Sequence, residues 1–330
     1  MIRLLKSYQP IVLFIIPIVT FLLWISPFYS EPNIFFYFDN LPMPLYKWIV
    51  DLLNNYHWIL VVCSLLLTSL LAYLMVHINT KYIFIDTRTY LPTISFILLA
   101  SSFAELQQLN SAIISAICFY FAIDRIFDSY RKNDILSNAF DSAFLISTGS
   151  LFYFNMVYYF PMIWIALVIL NKLSWRIILV SFLGLLLPYF FIAFYFFYNE
   201  KLDNLVEIIA MNLNFIHFYE NLNISHLIYI SFLVFFILAS AISFYAGINT
   251  KKISIRKYYN VLFWFVLFSI IIFLFASSIE ILLIMAIPLS LIFSNYLIQI
   301  KNEWWSKTIF MVWIILLIYN QLHFYKVIGF

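Results

Sequence analysis

The chain has 330 residues, of which 65% are hydrophobic and only 10% are charged, and its formal net charge is +3. A soluble domain needs roughly a quarter of its residues charged to cover its surface, so the composition excludes a soluble globular protein and predicts that membrane lipids are its main surroundings. The small net charge identifies no partner, and we expect no binding to nucleic acid.

Backbone polar groups must be satisfied internally within lipid, so only helices and closed barrels span a membrane. The apolar runs here are long and continuous, as in 11–29 and 176–198, which favours helices over the short alternating segments of a barrel. We therefore predict an all-α polytopic membrane protein with a single integral membrane domain over 1–330. Arg3 and Lys6 precede the first run, but no small-residue cleavage site follows it, so we interpret it as a retained span.

Eleven transmembrane segments are predicted in chain order. They cover 11–29, 58–78, 90–104, 111–124, 138–154, 157–171, 176–198, 227–246, 260–277, 281–300 and 308–325. The third to sixth are shorter than the ~20 residues that a crossing helix needs. These four could instead form short tilted hairpins, or re-entrant segments that the protein shields from lipid.

Loop cations predict the orientation, because Lys and Arg are enriched in cytoplasmic loops. With a cytoplasmic N-terminus, 15 of the 18 cations fall on the cytoplasmic side: Arg3, Lys6, Lys81, Arg88, Arg125, Arg131, Lys132, Lys172, Arg176, Lys251, Lys252, Arg256, Lys257, Lys301 and Lys307. Lys47, Lys201 and Lys326 fall on the other side. We therefore expect a bacterial inner-membrane protein whose long loops face the periplasm. Acids that include Glu105 and Glu280 are expected on the same side.

Two outer loops are long, 30–57 and 199–226, and each contains an amphipathic stretch. In the first, apolar residues recur at helical spacing: Leu45, Trp48, Ile49, Leu52, Leu53 and Tyr56. In the second, the same spacing joins Leu202, Leu205, Val206, Ile209, Leu213 and Ile216. Both stretches predict helices that lie in the outer membrane interface.

Short catalytic motifs are absent: there is no P-loop, glycine-rich nucleotide turn, nucleophile elbow or HExxH. Cys63 and Cys118 fall inside predicted spans and indicate neither a disulfide framework nor a zinc site. Asp128 lies after the fourth span, where we expect a solvated helix end with this carboxylate paired to Arg131 or Lys132.

Glu31 and Asp39 follow the first span closely, and a carboxylate there could serve as a general base. His57, His217 and His226 lie at the same interface. They could bind an anionic headgroup or, with Glu31 or Asp39, a divalent ion. No metal-ligand spacing links them, so interfacial polar anchors are the simpler interpretation; we assign no metal ligand, and any cofactor is left open.

The segment Met43-Pro44-Leu45-Tyr46 and the hairpin-like 139–171 accompany the two long loops. In these features the chain resembles the GT-C class of membrane glycosyltransferases. The resemblance implies a seven-helix module over 1–226 with outer loops 30–57 and 199–226, followed by four further helices over 227–330. The chain also resembles a family of Bacteroidota integral membrane proteins, which implies a lineage and no chemistry.

The GT-C resemblance implies transfer of a sugar from a polyprenyl-phosphate carrier to an acceptor on the periplasmic face. Asp39 would be the general base, with Glu31 as the alternative or as a ligand. Lys47, His57, Lys201 and His217 would neutralise the carrier phosphate. Two other functions are kept open: a non-catalytic membrane component with protein partners in an envelope, secretion or motility complex, and a transporter of lipids or small molecules.

Overall fold

A computed structural model describes residues 11–25, 27, 41–53, 57–213, 224–276, 278–300 and 302–324. Those residues form helices and no strands. The α-helices are α1 (Ile11–Leu23), α2 (Pro44–Leu53), α3 (His57–Tyr82), α4 (Leu91–Ala100), α5 (Ser111–Ser129), α6 (Leu136–Ser150), α7 (Phe160–Ile169), α8 (Trp175–Tyr198), α9 (Leu202–Leu213), α10 (Ile224–Ala246), α11 (Ile253–Ala276), α12 (Ile281–Gln299) and α13 (Glu303–Phe324). Short 3-10 helices cover Ala104–Gln107, Phe154–Tyr159 and Ile248–Thr250.

Six of the described helices are long and apolar enough to cross a membrane, namely α3, α8, α10, α11, α12 and α13. The chain is therefore a polytopic helical membrane protein. Each of the eleven predicted segments overlaps a helix, but α4 and α7 have only 10 residues each. Ten residues extend about 15 Å, roughly half of the hydrocarbon thickness.

The interior is built around α4 and α12. Every residue of α4 is buried, and so is the whole run from Ile281 to Asn295 in α12. A helix that is apolar on all faces is typical of a bundle interior. Serine hydroxyls join the two helices, because Ser294 donates to the Ser95 oxygen at 3.1 Å. The short α4 is thus shielded by protein rather than by lipid.

Helices α6 and α8 approach closely where α8 has no side chain. A Cβ atom on Gly184 would lie 2.6 Å from the backbone oxygen of Phe140. Ser147 of α6 also donates to the backbone oxygen of Leu185 at 2.6 Å. Helices α6 and α7 form the hairpin predicted over 139–171, which turns through the 3-10 helix at Phe154–Tyr159, and α8 packs against this hairpin.

Cations mark one end of the bundle, which we call the basic end. There, Arg131 donates to the backbone oxygen of Lys81 at 3.0 Å, and Lys172 donates to that of Lys132 at 2.8 Å. Among the described residues, only Lys47 and Lys201 lie at the other end, which we call the opposite end. The structure therefore keeps the predicted separation of charge, while the direction of each end relative to the cell stays a prediction.

Helices α2 and α9 cover the opposite end and confirm the two predicted amphipathic helices. Their inner faces join an apolar cluster made of Met43, Leu151, Phe154, Ile192 and Leu205. The backbone nitrogen of Leu45 donates to the oxygen of Leu151 at 3.3 Å. The two helices therefore form a cap over the turn of the α6–α7 hairpin.

Candidate functional site

The predicted site residues are distributed unevenly in the structure. Asp39, Glu31 and His217 lie outside the described residues. His57 is the first residue of α3. Lys47 and Lys201 are exposed at the opposite end, which is the end where the sequence predicted a phosphate group to bind.

Local turns position Lys47 and Lys201. Lys47 lies in the first turn of α2, whose buried face carries Tyr46 and Val50 and directs the neighbouring Lys47 outward. Lys201 follows Glu200, which adopts a left-handed φ of 56°. The Lys201 nitrogen bonds back to the oxygen of Phe196 at 2.9 Å. This arrangement is a Schellman motif, and it ends α8 and turns the chain into α9.

Polar contacts hold the cap in place. Asn212 of α9 accepts from the Leu41 nitrogen at 3.2 Å and donates to the Leu41 oxygen at 2.9 Å. The Tyr46 hydroxyl donates to the backbone oxygen of Leu109 at 3.0 Å. The rings of Trp48 and Tyr195 meet edge to face, with centroids 5.1 Å apart. Both cap helices are thereby tied to each other and to the segment between α4 and α5.

That connecting segment forms a buried polar cluster beneath the opposite end. We call it the Glu105 cluster, defined by Trp24, Ser101, Ser102, Glu105, Gln107, His226, Asn320 and Gln321. Gln107 and Gln321 both donate to the Ser101 oxygen, at 3.2 and 2.7 Å. Asn320 donates to the Ser102 oxygen at 2.7 Å, and Trp24 donates to the Ser101 hydroxyl at 2.9 Å. Helix α13 and Trp24 thus meet the segment between α4 and α5, which includes the 3-10 helix Ala104–Gln107.

Glu105 and His226 form the ionisable pair of this cluster. Glu105 Oε1 lies 3.6 Å from His226 Nε2, and the two side chains are 12% and 3% exposed. This separation is too long for a hydrogen bond, so the attraction requires a protonated imidazole. Burial raises the pKa of the Glu105 carboxyl to about 6, although a backbone hydrogen bond within the same residue opposes the rise. A carboxyl with such a pKa can exchange a proton near neutral pH.

Several buried atoms of the Glu105 cluster have no hydrogen-bond partner among the residues that the structure describes. They are Glu105 Oε2, Gln107 Oε1, His226 Nδ1 and Asn320 Oδ1. Most buried polar atoms in proteins are paired, so four exceptions in one cluster require an explanation. They mark the cluster as a place where a ligand could complete the hydrogen bonding.

A second buried acid lies at the opposite end, where α11 leads into α12. Glu280 is 1% exposed and accepts a hydrogen bond from Ser278. The Ser278 and Tyr153 hydroxyls are 2.6 Å apart, and Asn155 donates to Tyr153 at 3.0 Å. This chain of hydrogen bonds ties the α6–α7 hairpin to α12.

Sequence reasoning missed both buried acids. It placed Glu105 and Glu280 among the acids of the outer side and His226 among interfacial anchors, and the structure buries all three. One available signal was the polar segment 101–110 (SSFAELQQLN) between two apolar runs. Such a segment at membrane depth must be shielded by protein, and that shielding predicts a buried polar cluster.

The basic end contains an ion cluster that differs from the predicted pairing. Asp128 lies 3.1 Å from Lys81 of α3, and Asp124 lies 2.8 Å from the same ammonium. Tyr82 donates to Asp124 at 2.9 Å and to Asp128 at 2.8 Å. Asp128 thus pairs with Lys81 and links α5 to α3, whereas the sequence predicted Arg131 or Lys132 as its partner; the charge of Lys132 also acts on Asp128.

The described residues contain no group of three or more His, Cys, Asp or Glu side chains that could hold a metal ion. Glu31 and Asp39, which the sequence leaves open as divalent-ion ligands without assigning them, lie outside those residues. No family model matches the chain, and no curated protein or solved structure matches it either.

Proposed function

We propose that the chain is a GT-C-like glycosyltransferase of a bacterial inner membrane. In this proposal it crosses the membrane with about eleven helices, its basic end is cytoplasmic, and the opposite end faces the periplasm. It transfers a sugar from a polyprenyl-phosphate carrier to an acceptor at the opposite end. A lipid-linked donor fits this location because nucleotide sugars are not available outside the inner membrane.

The observation that carries the proposal is the cap formed by α2 and α9. These two amphipathic helices follow the first and the seventh of the helices that match predicted spans, in the order that the GT-C resemblance implies. They pack on one apolar cluster and present Lys47 and Lys201 at the same end. Cations there would attract a carrier phosphate.

An apolar groove supports a long-chain donor. It has a volume of about 430 Å³ and lies between α7, α8 and α11, with Tyr158, Phe160, Phe268 and Phe275 in its lining. Polar ligands would lose hydrogen bonds in such a lining, whereas a hydrocarbon chain would not. In the proposal, the groove takes the prenyl chain, and Asp39 or Glu31 activates the acceptor hydroxyl.

Lipid retention tests the donor. The protein is purified from bacterial membranes in nanodiscs, and co-purified polyprenyl phosphates are measured by mass spectrometry. We expect Lys47→Ala with Lys201→Ala to reduce retention about fivefold or more, because exposed charge contacts contribute roughly 0.5–1 kcal/mol each. Lys307→Ala is the matched control, because Lys307 lies at the basic end beside Glu303. Equal retention in all variants contradicts the proposal.

Glycan analysis tests the chemistry. Asp39→Asn, Glu31→Gln and their double variant are compared with the wild type for transfer of sugar to envelope glycans. The proposal predicts loss of transfer in at least the double variant, with lipid retention unchanged. Wild-type glycans in all three variants, together with a stoichiometric protein partner on co-purification, would instead favour a non-catalytic component of an envelope complex.

A further inference from the structure

The Glu105 cluster has more hydrogen-bond acceptors than its donors satisfy. The amide nitrogens of Gln107, Asn320 and Gln321 all donate to the backbone oxygens of Ser101 or Ser102. Glu105 Oε2, Gln107 Oε1 and Asn320 Oδ1 are buried and accept no hydrogen bond from the described part of the chain. A surplus of oxygen acceptors favours a hydrogen-bond donor or a cation as ligand, and it disfavours an anion.

The charge of the cluster decides between these two ligands. Within the described part of the chain, the ion-pair partner of Glu105 is His226, which carries charge only when protonated. The neighbouring His323 lies 3.4 Å from the Ser225 hydroxyl and is also an imidazole. A neutral imidazole brings no positive charge, so an ionised Glu105 lacks a compensating charge whenever His226 is neutral. A buried uncompensated charge is strongly destabilising, and a bound cation would remove that penalty.

Helix termini add to the negative potential. Helix α4 ends at Ala100, and the last turns of α13 carry Asn320, Gln321 and His323. The carbonyl ends of helices carry partial negative charge and favour cations. Helices α5 and α10 begin here, and the partial positive charge of their N-termini opposes this negative potential. The side chain of Asn110 already caps α5, because its oxygen lies 2.9 Å from the Ile113 nitrogen.

We propose that the Glu105 cluster binds one monovalent alkali cation, with Glu105 Oε2, Gln107 Oε1 and Asn320 Oδ1 as its ligands. Oxygen ligands suit hard cations, and divalent ions usually take more than one carboxylate. A single carboxylate with two neutral amide oxygens balances a single positive charge. This site does not depend on the proposed transferase activity, and it binds its ion whether or not sugar transfer occurs.

Thermal unfolding tests the site. The purified protein is unfolded in detergent at pH 8, with choline chloride replaced stepwise by NaCl or KCl at constant ionic strength. We expect a saturable rise of the unfolding midpoint with one of the two ions, since a ligand that binds only the folded state stabilises it. Glu105→Gln should abolish the rise. Glu303→Gln should retain it, because Glu303 is an exposed acid at the basic end.

A second variant covers the case in which Glu105→Gln does not fold. Gln107→Met removes one proposed ligand, while the Ser101 oxygen keeps its bond from Gln321. Binding of ²²Na⁺ or ⁸⁶Rb⁺ should approach one ion per chain in the wild type and weaken at least tenfold in Gln107→Met. The proposal is overturned if the wild type shows no saturable response, if the variants respond as the wild type does, or if only Ca²⁺ or Mg²⁺ stabilises.

Discussion

The charge of Glu105 depends on how deeply the fold buries it. Its carboxyl lies against His226 with a side chain that is 12% exposed, and burial raises its pKa to about 6. Because the folded pKa exceeds the ordinary value of 4.5, the protonated form is favoured in the folded state. The resulting stabilisation is complete below about pH 4.5 and is lost as the pH rises through 6.

This shift predicts a measurable pH dependence. In choline buffers without alkali cations, the wild type should lose about 2 kcal/mol of unfolding free energy between pH 4.5 and 7.5 on account of this group. Glu105→Gln cannot ionise and should lack that component. Thermal unfolding across this pH range measures it, with Glu303→Gln as control. An identical pH profile in wild type and Glu105→Gln would contradict the assigned burial.

Lys81 compensates two carboxylates at the basic end. In Lys81→Met, Asp124 and Asp128 lose the ammonium that lies beside both carboxylates. The side chains of all three residues are less than 30% exposed. Partial exposure screens the effect, so we expect a loss of about 1–3 kcal/mol. Lys307→Met, which breaks an exposed pair, should cost under about 0.5 kcal/mol. Chemical unfolding in detergent compares the two variants, and equal losses would be inconsistent with the cluster.

At the level of elements, the contact between α6 and α8 depends on Gly184. A methyl group at this position would lie 2.6 Å from the backbone oxygen of Phe140, so the helices must separate. We expect Gly184→Ala to destabilise the protein by about 1–3 kcal/mol, despite the better helix propensity of alanine. Gly247→Ala is the control, since its nearest atoms would be 3.7 Å away. Unchanged unfolding midpoints for Gly184→Ala would contradict this packing.

The cap is a second element-level feature that can be tested. Asn212→Ala removes both bonds to the Leu41 backbone, and part-buried polar groups left unpaired cost about 1–3 kcal/mol. We expect faster proteolysis within α9 and little change in the unfolding of the bundle. Asn204→Ala, on the exposed face of the same helix, should be cleaved as slowly as the wild type. The reverse ranking would argue against the cap.

Sequence periodicity predicted the elements better than it predicted their surroundings. The apolar spacing around Leu45 and Leu205 gave both cap helices, because amphipathic faces follow a helical period. Exposure was harder to predict: Leu52 remains 79% exposed on α2, while Tyr46 and Val50 face inward. Periodicity indicates which residues share a face, but tertiary contacts decide which face is covered.

The Glu105 cluster could not be predicted for a related reason. Its members come from α10, α13, the residue after α1 and the segment after α4, so partners such as Ser101 and Gln321 are 220 positions apart. Local sequence indicates that Glu105 is polar and close to a span. Only the packing of distant helices determines that it is buried beside His226.

At the level of the whole molecule, charge distinguishes the two ends. The described cations lie at the basic end except for Lys47 and Lys201. The cap, the Glu105 cluster and the buried Glu280 all lie at the opposite end. For the proposed transferase, that end must face the periplasm, because the lipid-linked donor and its acceptor are located there.

Labelling of single cysteines tests this orientation directly. After Cys63→Ser and Cys118→Ser, one cysteine is introduced either in α9 (Glu207→Cys) or at the basic end (Lys252→Cys), both at exposed positions. Intact cells are treated with a membrane-impermeant maleimide. This orientation predicts labelling of Glu207→Cys in intact cells and of Lys252→Cys only after permeabilisation. Labelling of Lys252→Cys in intact cells, with Glu207→Cys protected, would contradict it.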